Sequence, residues 1–308
     1  MKISILDAKT FGADADLSVL NTLGTIQTHQ TTTYEETLTN INNANIVITN
    51  KVVINKYIMD NSSIKLICVA ATGMNNIDLQ YAKQKGIVVK NVVGYSTSSV
   101  AQLTFALALE FIQKIPYYNE YTSSKQWCKS DIFTNLDKPF YELDNKTWGI
   151  IGLGNIGQKV ASIASSFGCN VQYYSTSGVN NNKDYKNVSF EELLKTSDII
   201  SIHCALNDVT NNLINSINMS LIKDNTIILN LGRGGIVNEQ DISEELNSNR
   251  LYYGTDVVSK EPIELVNPLL KVINKHRIII TPHIAWASKQ ARVKLINSIK
   301  DNISSFTI

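Results

Sequence analysis

The stretch Trp148-Gly149-Ile150-Ile151-Gly152-Leu153-Gly154-Asn155-Ile156-Gly157 lies near the middle of the chain. Its apolar start, 148–151, is typical of a buried strand, and apolar residues at helical spacing follow over 158–167. Gly152, Gly154 and Gly157 form a GxGxxG pattern between strand and helix, which is the context that dinucleotide binding requires. The first glycine permits a tight turn, the second lets the backbone approach a pyrophosphate, and the third allows close packing of helix on strand. The stretch therefore predicts a nucleotide-binding domain with the helix N-terminus directed at the phosphates.

Composition limits the class of protein. The 308 residues suffice for two domains, and 44% hydrophobic with 18% charged residues is typical of a globular protein with a substantial core. A net charge of +1, with both signs interspersed, predicts neither nucleic-acid binding nor a membrane-surface patch. Four scattered cysteines without a CxxC pair predict no metal site and no disulfide framework. No apolar run has the length of a signal peptide or a transmembrane helix, so we expect a cytoplasmic protein.

Short apolar strands alternate with helical stretches in two regions, a pattern typical of parallel sheets with helices on both faces. In the first region, strands are expected at 2–6, 45–49, 65–70 and 87–89, and helices at 17–23, 34–41 and 77–85. In the second, strands are expected at 148–151, 171–174, 199–202, 226–229, 251–255 and 277–280, with helices at 158–167, 191–195, 216–222 and 239–246. A last helix, 288–299, is expected to return to the first domain. The fold class is thus α/β with two doubly wound domains.

The segment that joins the two regions is unusually apolar. Residues 100–115 are apolar on nearly every face, which predicts a buried helix, and Pro116 is expected to end it. The aromatic-rich residues 117–145 are expected to be irregular. Two interpretations of this segment stay open, a contact in a homodimer and an arm that covers the chain's own surface.

Loops that follow the strands of the second region carry the candidate chemistry, because ligands bind beyond the carboxyl ends of parallel strands. Arg233 stands between glycines in a chain with only four arginines, and its planar fork suits a carboxylate, although a surface arginine in a glycine turn is the alternative.

His203 and His283 both follow strands, and position alone does not decide between them as a catalytic group. Nor does it decide between Glu261 and Glu264 as the histidine's partner. The other two histidines, His29 and His276, are expected to be exposed.

Several ordered motifs resemble the D-isomer-specific 2-hydroxyacid dehydrogenase family. They are the glycine turn, Asn230-Leu231-Gly232-Arg233-Gly234, Asp256-Val257 with Glu261-Pro262, and Thr281-Pro282-His283-Ile284-Ala285-Trp286. Segments 71–78 and 91–101 match the family's substrate-domain and hinge motifs, so the resemblance spans nearly the whole chain. Within the family the chain is most similar to the glycerate dehydrogenase and hydroxypyruvate reductase branch. The resemblance implies a Rossmann coenzyme domain at 99–285, inserted in a flavodoxin-like substrate-binding domain formed by 1–98 plus 286–308.

The resemblance also implies a reaction and its residues. Hydride would pass between a nicotinamide cofactor and a small 2-oxo acid such as hydroxypyruvate or glyoxylate. His283 would be the general acid, Glu261 would orient it, and Arg233 would bind the substrate carboxylate. The implied substrate-binding residues are Thr72, Gly73 and Met74, together with Arg233. The implied cofactor-binding residues are Gly152, Gly154, Asn155, Ile156, Gly157, Ser175, Thr176, His203, Asp256 and Thr97.

The expected ribose position departs from the common pattern of this family. Ser175-Thr176-Ser177-Gly178 follows the second strand of the coenzyme domain where an Asp is common, so no carboxylate repels a 2′-phosphate there. No Arg or Lys adjoins it either, and we expect NAD(H) with NADP(H) as the alternative. Two other functions stay open: a nucleotide-sensing corepressor on the same scaffold, and an oxidoreductase acting on phosphite or formate. Glu261 argues against formate dehydrogenase, which carries Gln at that position.

Overall fold

The computed structural model describes residues 1–180 and 182–306. These form two compact units, Met1–Ser96 with Trp286–Ile308, and Thr97–Ala285. The chain passes from the first unit to the second after Ser96 and back after Ala285, and the predicted domain boundaries follow residues 98 and 285.

The first unit is built on a sheet of five parallel strands. Its strands and helices up to residue 96 are β1 (Lys2–Ile5), β2 (Thr25–Thr28), α1 (Thr37–Ile41), β3 (Ile46–Thr49), α2 (Lys56–Asp60), β4 (Leu66–Val69), α3 (Leu79–Gln84) and β5 (Val88–Lys90). The strand order β2-β1-β3-β4-β5 is the flavodoxin-like order. Side chains of β3 alternate between two cores, with Ile46 and Ile48 on one face and Val47 on the other.

The second unit contains a sheet of seven parallel strands. Its strands and helices are α4 (Thr97–Gln113), α5 (Ile115–Ser123), β6 (Thr147–Ile151), α6 (Asn155–Ser166), β7 (Asn170–Tyr174), β8 (Lys186–Asn187), α7 (Phe190–Thr196), β9 (Ile199–Ile202), α8 (Ser216–Met219), β10 (Ile227–Asn230), α9 (Glu239–Asn247), β11 (Tyr252–Thr255) and β12 (Ile278–Ile280). In the order β12-β11-β10-β9-β6-β7-β8, strand β6 lies between β7 and β9. The direction of winding reverses there, so the loops after β6 and β9 are neighbours at the topological switch point.

The chain then returns to the first unit as α10 (Lys289–Ser304), as expected. Leu295 and Ile299 of this helix are fully buried in the same core as Ile3 and Ile5 of β1. The two units are therefore α/β domains with parallel sheets, and the second is inserted in the first. None of the helices in 1–180 and 182–306 combines the length and the apolar character that crossing a bilayer needs.

Some elements differ from the sequence-based expectation. Strand β2 and helix α2 were not predicted, because β2 (Thr-Ile-Gln-Thr) is a largely exposed edge strand and α2 has only 5 residues. The stretch 17–23 contains a 3₁₀ helix, Ser18–Leu23, rather than an α-helix. The short strand β8 was also missed.

The expectation for Pro116 was wrong. Helix α4 ends at Gln113, Lys114 adopts a left-handed conformation with φ of 51°, and α5 starts at Ile115 with Pro116 in its first turn. Proline is tolerated there because the first N–H groups of a helix have no intrahelical partner. Residues 117–123 are therefore helical rather than irregular, and Trp127–Lys129 forms a 3₁₀ turn.

Candidate active site

The glycine turn after β6 has the geometry of a phosphate-binding loop. Gly152 has φ of +90°, and a Cβ added there would lie 2.8 Å from the backbone nitrogen of Cys204. A Cβ on Gly157 would lie 2.4 Å from the Gly152 carbonyl oxygen, whereas one on Gly154 would meet nothing within 4 Å. Gly154 is the N-cap of α6 and offers no side chain to its first N–H groups. The turn thus leaves open space directly in front of a helix N-terminus, which fits a pyrophosphate.

His203 lies beside this turn, at the end of β9. Its backbone N–H donates to the Ile151 carbonyl at 2.8 Å, and the next residue, Cys204, packs on Gly152. The residue is half-buried, yet both ring nitrogens are inaccessible and have no partner among residues 1–180 and 182–306. Burial lowers the pKa of His203 to about 3, so the ring is neutral. A neutral imidazole with an unused donor and acceptor fits a polar ligand at the switch point but not the charged form of a general acid.

A second polar residue holds the glycine turn from the β7 side. The side-chain amide of Asn180 donates to the Leu153 carbonyl at 2.6 Å, and its backbone N–H donates to Ser175 Oγ at 3.3 Å. The segment after β7, where Ser175 and Thr176 are expected to meet the ribose, is therefore tied to the turn that faces the phosphates. Sequence reasoning missed Asn180, because an asparagine in a polar, asparagine-rich segment carries no local signal.

His283 and Glu261 form the imidazole–carboxylate pair of the site. Nδ1 of His283 lies 2.7 Å from Oε2 of Glu261, and the side chains are 27% and 34% exposed. Glu264, the alternative partner, accepts from Lys260 Nζ instead, at 2.5 Å. Because the carboxylate holds Nδ1, the proton-transferring atom left to His283 is Nε2, which has no partner in the part of the chain that the structure describes.

The backbone of His283 has φ of 54°, a left-handed conformation that is uncommon for a residue with a side chain. Its N–H donates to the carbonyls of Thr281 and Asp256, each at 2.9 Å. Both contacts come from the loops after β11 and β12, which are neighbouring strands. The unusual conformation is therefore held by the sheet, and it directs the ring toward Glu261.

The Asp256 carboxylate braces the same loop. Oδ1 accepts from Thr281 Oγ1 at 2.6 Å and from the Ile284 N–H at 2.9 Å, and Oδ2 accepts from the Ala285 N–H at 2.8 Å. Burial raises the pKa of Asp256, and these hydrogen bonds oppose the rise. Its first role is therefore to hold the turn that carries His283. Each carboxylate oxygen accepts about two hydrogen bonds, so Oδ2 keeps one position for a ligand donor.

Arg233 lies in the loop after β10. The Asn230 side chain clamps this loop, since its Nδ2 donates to the Arg233 carbonyl at 2.9 Å and its Oδ1 accepts from the Gly232 N–H at 3.1 Å. The Arg233 guanidinium donates from Nη1 to the Gly232 carbonyl at 2.8 Å. Its other N–H groups have no partner within the described ranges, whereas Arg250 and Arg292 pair with carboxylates. An exposed guanidinium on a clamped loop can bind an anionic substrate group.

The expected substrate residues of the first unit lie in the loop after β4. Thr72 Oγ1 donates to the Val92 carbonyl at 3.0 Å, and the Asn91 side chain donates to the Thr72 carbonyl at 2.6 Å. Gly73 and Met74 follow in the same loop, and their contact with a substrate stays a prediction. In the second unit, Thr97 is the first residue of α4, and Ser99 Oγ donates to the Ala285 carbonyl at 2.5 Å.

Of the two histidines expected to be exposed, one is exposed and one is partly buried. His276 is exposed, as expected. His29, which was expected to be exposed, is half-buried with an inaccessible Nε2, because it follows β2 inside the first unit. No group of three or more His, Cys, Asp or Glu residues in the described ranges could hold a metal ion.

The fold and the site together define a class of protein, a dehydrogenase that binds a nicotinamide dinucleotide. Residues 105–285 match the family model described as D-isomer specific 2-hydroxyacid dehydrogenase, NAD binding domain. The chain belongs to the D-isomer specific 2-hydroxyacid dehydrogenase family, and it is an NAD(P)-dependent enzyme.

Similar proteins agree with this assignment. A hydroxypyruvate reductase of Blautia hydrogenotrophica is 38% identical over 314 residues, covering 99% of this chain and 97% of the relative. A glycerate dehydrogenase of Methylorubrum extorquens is 31% identical over 311 residues, covering 99% and 96%. Among solved structures, an acyclic imino acid reductase in complex with NADPH and D-Arg is 28% identical with a TM-score of 0.84, covering 99% and 96%. These relatives have the names of enzymes, and this supports an enzymatic function for the chain rather than that of a nucleotide-sensing corepressor.

Proposed function

We propose that the protein reduces a small 2-oxo acid to the D-2-hydroxy acid, with hydroxypyruvate or glyoxylate as substrate. The observation that carries the proposal is the His283–Glu261 pair at 2.7 Å, in the unit that also contains the glycine turn and Arg233. A proton donor oriented by a carboxylate is what the 2-oxo oxygen needs as it becomes a hydroxyl group. The names of the relatives, hydroxypyruvate reductase and glycerate dehydrogenase, support this substrate class.

Each residue of the site has a distinct role in this proposal. His283 donates a proton from Nε2 to the 2-oxo oxygen, and Glu261 stabilises the imidazolium before that transfer. Arg233 binds the substrate carboxylate through its unpartnered N–H groups, helped by the loop that contains Thr72, Gly73 and Met74. A reduced nicotinamide, when bound, supplies the hydride. Thr97–Ala285 acts as the coenzyme domain, and Met1–Ser96 with Trp286–Ile308 as the substrate domain.

We propose NAD(H) as the preferred cofactor. Residues 175–178 contain no basic side chain that would pair with a 2′-phosphate, and the nearest basic residue in the sequence is Lys183. The same residues contain no carboxylate, so NADPH should also be accepted, as the NADPH complex of the imino acid reductase illustrates for a relative.

We also propose a cytoplasmic homodimer. The four free cysteines support a reducing compartment, and the net charge of +1 supports a protein without nucleic-acid partners. Exposed apolar side chains after α5, with Phe133 88% and Leu136 71% accessible, support a subunit contact.

A steady-state screen tests the function. Glyoxylate, hydroxypyruvate, pyruvate and longer 2-oxo acids are each assayed with NADH and with NADPH. We expect the highest kcat/KM with hydroxypyruvate or glyoxylate and NADH. Nucleotide binding without turnover of any 2-oxo acid would contradict the enzyme and favour the corepressor alternative.

A further inference from the structure

Glu239, the first residue of α9, connects two loops of the site. Its Oε1 accepts from the Ser259 N–H at 2.6 Å and from Ser259 Oγ at 2.9 Å. Its Oε2 accepts from the Asn267 side-chain amide at 2.7 Å. Helix α9 continues the loop that carries Arg233, whereas Ser259 and Asn267 flank Glu261 in sequence. The Glu239 carboxylate, which follows the Arg233 loop in sequence, therefore bonds to both ends of segment 259–267. This segment contains Glu261, the partner of His283.

The backbones of the two loops also touch. A Cβ on Gly234 would lie 2.0 Å from the Val258 carbonyl oxygen and 2.5 Å from the Ser259 nitrogen. Within the second loop, the Val258 N–H donates to Oε1 of Glu261 at 3.3 Å. A displacement of Val258 and Ser259 would thus move the Glu261 carboxylate directly.

Glu239 is not needed to cap its own helix. The Asn238 side chain caps α9 by accepting from the N–H groups of Gln240 and Asp241 at 3.0 and 3.1 Å. Within residues 1–180 and 182–306, the Glu239 carboxylate accepts hydrogen bonds from Ser259 and Asn267 alone. A negative charge in the first turn stabilises a helix, but Asp241 in the same turn supplies one as well.

We propose that Glu239 is a positioning residue for the reaction: it keeps Glu261, and through it His283, in register with Arg233. The proposal rests on the proposed function, because it assigns a consequence for turnover to the roles of those three residues. Proton and hydride transfer depend steeply on such geometry, and a misplacement of about 1 Å can reduce the rate about 100-fold.

The test compares Glu239→Gln with Glu244→Gln. Glu244 is an exposed glutamate of the same helix, and its side chain bonds to Gln240 alone among the residues that the structure describes. In Glu239→Gln the side-chain oxygen can still accept from Ser259, but the new NH₂ group faces the Asn267 amide. That amide cannot turn around freely, because its oxygen already accepts from the Leu269 N–H at 2.9 Å. We expect kcat to fall about 10-fold, the KM for the cofactor to stay unchanged, and Glu244→Gln to match the wild type.

Two further readouts separate positioning from a loss of folded protein. With the cofactor deuterated at nicotinamide C4, the isotope effect on kcat should rise in Glu239→Gln, because hydride transfer becomes slower relative to product release. A smaller active fraction would lower the apparent kcat without changing the isotope effect. Hydrogen exchange in residues 256–264 of the free protein should also be faster in Glu239→Gln.

The outcomes distinguish this inference from the proposed function. An active wild type with unchanged kcat and isotope effect in Glu239→Gln overturns the inference alone, as does a lower kcat with an unchanged isotope effect. If the wild type turns over no 2-oxo acid, the proposed function fails, and hydrogen exchange decides whether Glu239 holds the loop. Unchanged exchange would then overturn the positioning role.

Discussion

At the scale of single residues, the two strand-end histidines have opposite environments. His283 is partly exposed and bonded to a carboxylate, whereas both ring nitrogens of His203 are buried without a partner in the described part of the chain. An imidazole beside a carboxylate can carry and donate a proton, and a buried one without a counter-charge stays neutral. We therefore expect proton transfer from His283 and contact with the cofactor from His203.

The role of His283 predicts a selective loss of turnover. In His283→Ala the proton donor is removed while the glycine turn is untouched, so kcat should fall about 10²–10⁴-fold with cofactor affinity unchanged. Steady-state kinetics and a cofactor titration measure the two effects. His276→Ala, which removes an exposed histidine, is the control, and equal effects from both variants would contradict the role.

Arg233 should act mainly on substrate binding. Arg233→Ala removes the guanidinium, most of whose N–H groups have no partner within the described ranges. A charge-assisted hydrogen bond contributes about 1.5–3 kcal/mol, so the substrate KM should rise about 10–100-fold. The measurement is substrate saturation at fixed, saturating cofactor. A substrate KM equal to that of the wild type would show that another group holds the carboxylate.

The neutral state of His203 predicts a pH-dependent stability. Its pKa is lowered from 6.5 to about 3 in the folded protein, so below pH 6.5 the unfolded chain takes up a proton that the folded one does not. The free energy of unfolding should therefore decrease as pH falls through this window, by about 1 kcal/mol per pH unit from this residue. Urea unfolding at pH 7.5 and 5.5 should show a smaller decrease for His203→Asn. Equal decreases in the unfolding free energy of the wild type and of His203→Asn would rule out the contribution of His203.

At the scale of elements, the glycines of the turn between β6 and α6 have different environments. One makes a packing contact, and another faces the open space where we expect the phosphates. Gly157 packs against the Gly152 carbonyl, so it serves the contact between helix and strand, whereas a side chain on Gly154 would enter open space. Identical residues in one motif thus have different physical reasons for being glycine.

This difference predicts opposite phenotypes for the same substitution. Gly154→Val should fold with nearly wild-type stability but bind NADH at least about 10-fold more weakly, because the side chain occupies the space of the phosphates. Gly157→Val should lose about 1–3 kcal/mol of unfolding free energy through backbone overlap. Thermal unfolding and a fluorescence titration with NADH distinguish the two. Wild-type affinity in Gly154→Val would contradict the proposed phosphate position.

At the scale of the whole molecule, the exposed segment after α5 contrasts with the well-filled cores of both units. The exposed fractions of Trp127, Phe133 and Leu136 are 49%, 88% and 71%, although α4, which precedes the segment, contributes eight of its 17 residues to the core. Exposed apolar side chains this close in sequence are typical of a subunit contact.

We therefore expect a dimer that depends on this segment. The double substitution Phe133→Ser with Leu136→Ser should shift the protein toward a monomer in analytical ultracentrifugation, because it removes apolar area from the contact. Ile217→Ser changes an equally exposed apolar residue outside the segment and should leave the dimer intact. If the wild type sediments as a monomer, the dimer is contradicted, and the alternative interpretation of the segment as an arm on the chain's own surface is favoured.

The sequence by itself determined the α/β class, the glycine turn and the loops that carry Arg233 and His283. These features follow from local patterns, since periodicity, glycine spacing and strand–helix alternation are written in neighbouring residues. Only the tertiary structure decided contacts between residues far apart in sequence. Among them are the hydrogen bond of Asn180 to the glycine turn, the hydrogen bonds of Glu239 to Ser259 and Asn267, and the burial of both ring nitrogens of His203. Such contacts depend on which parallel strands become neighbours, and no local pattern encodes that order.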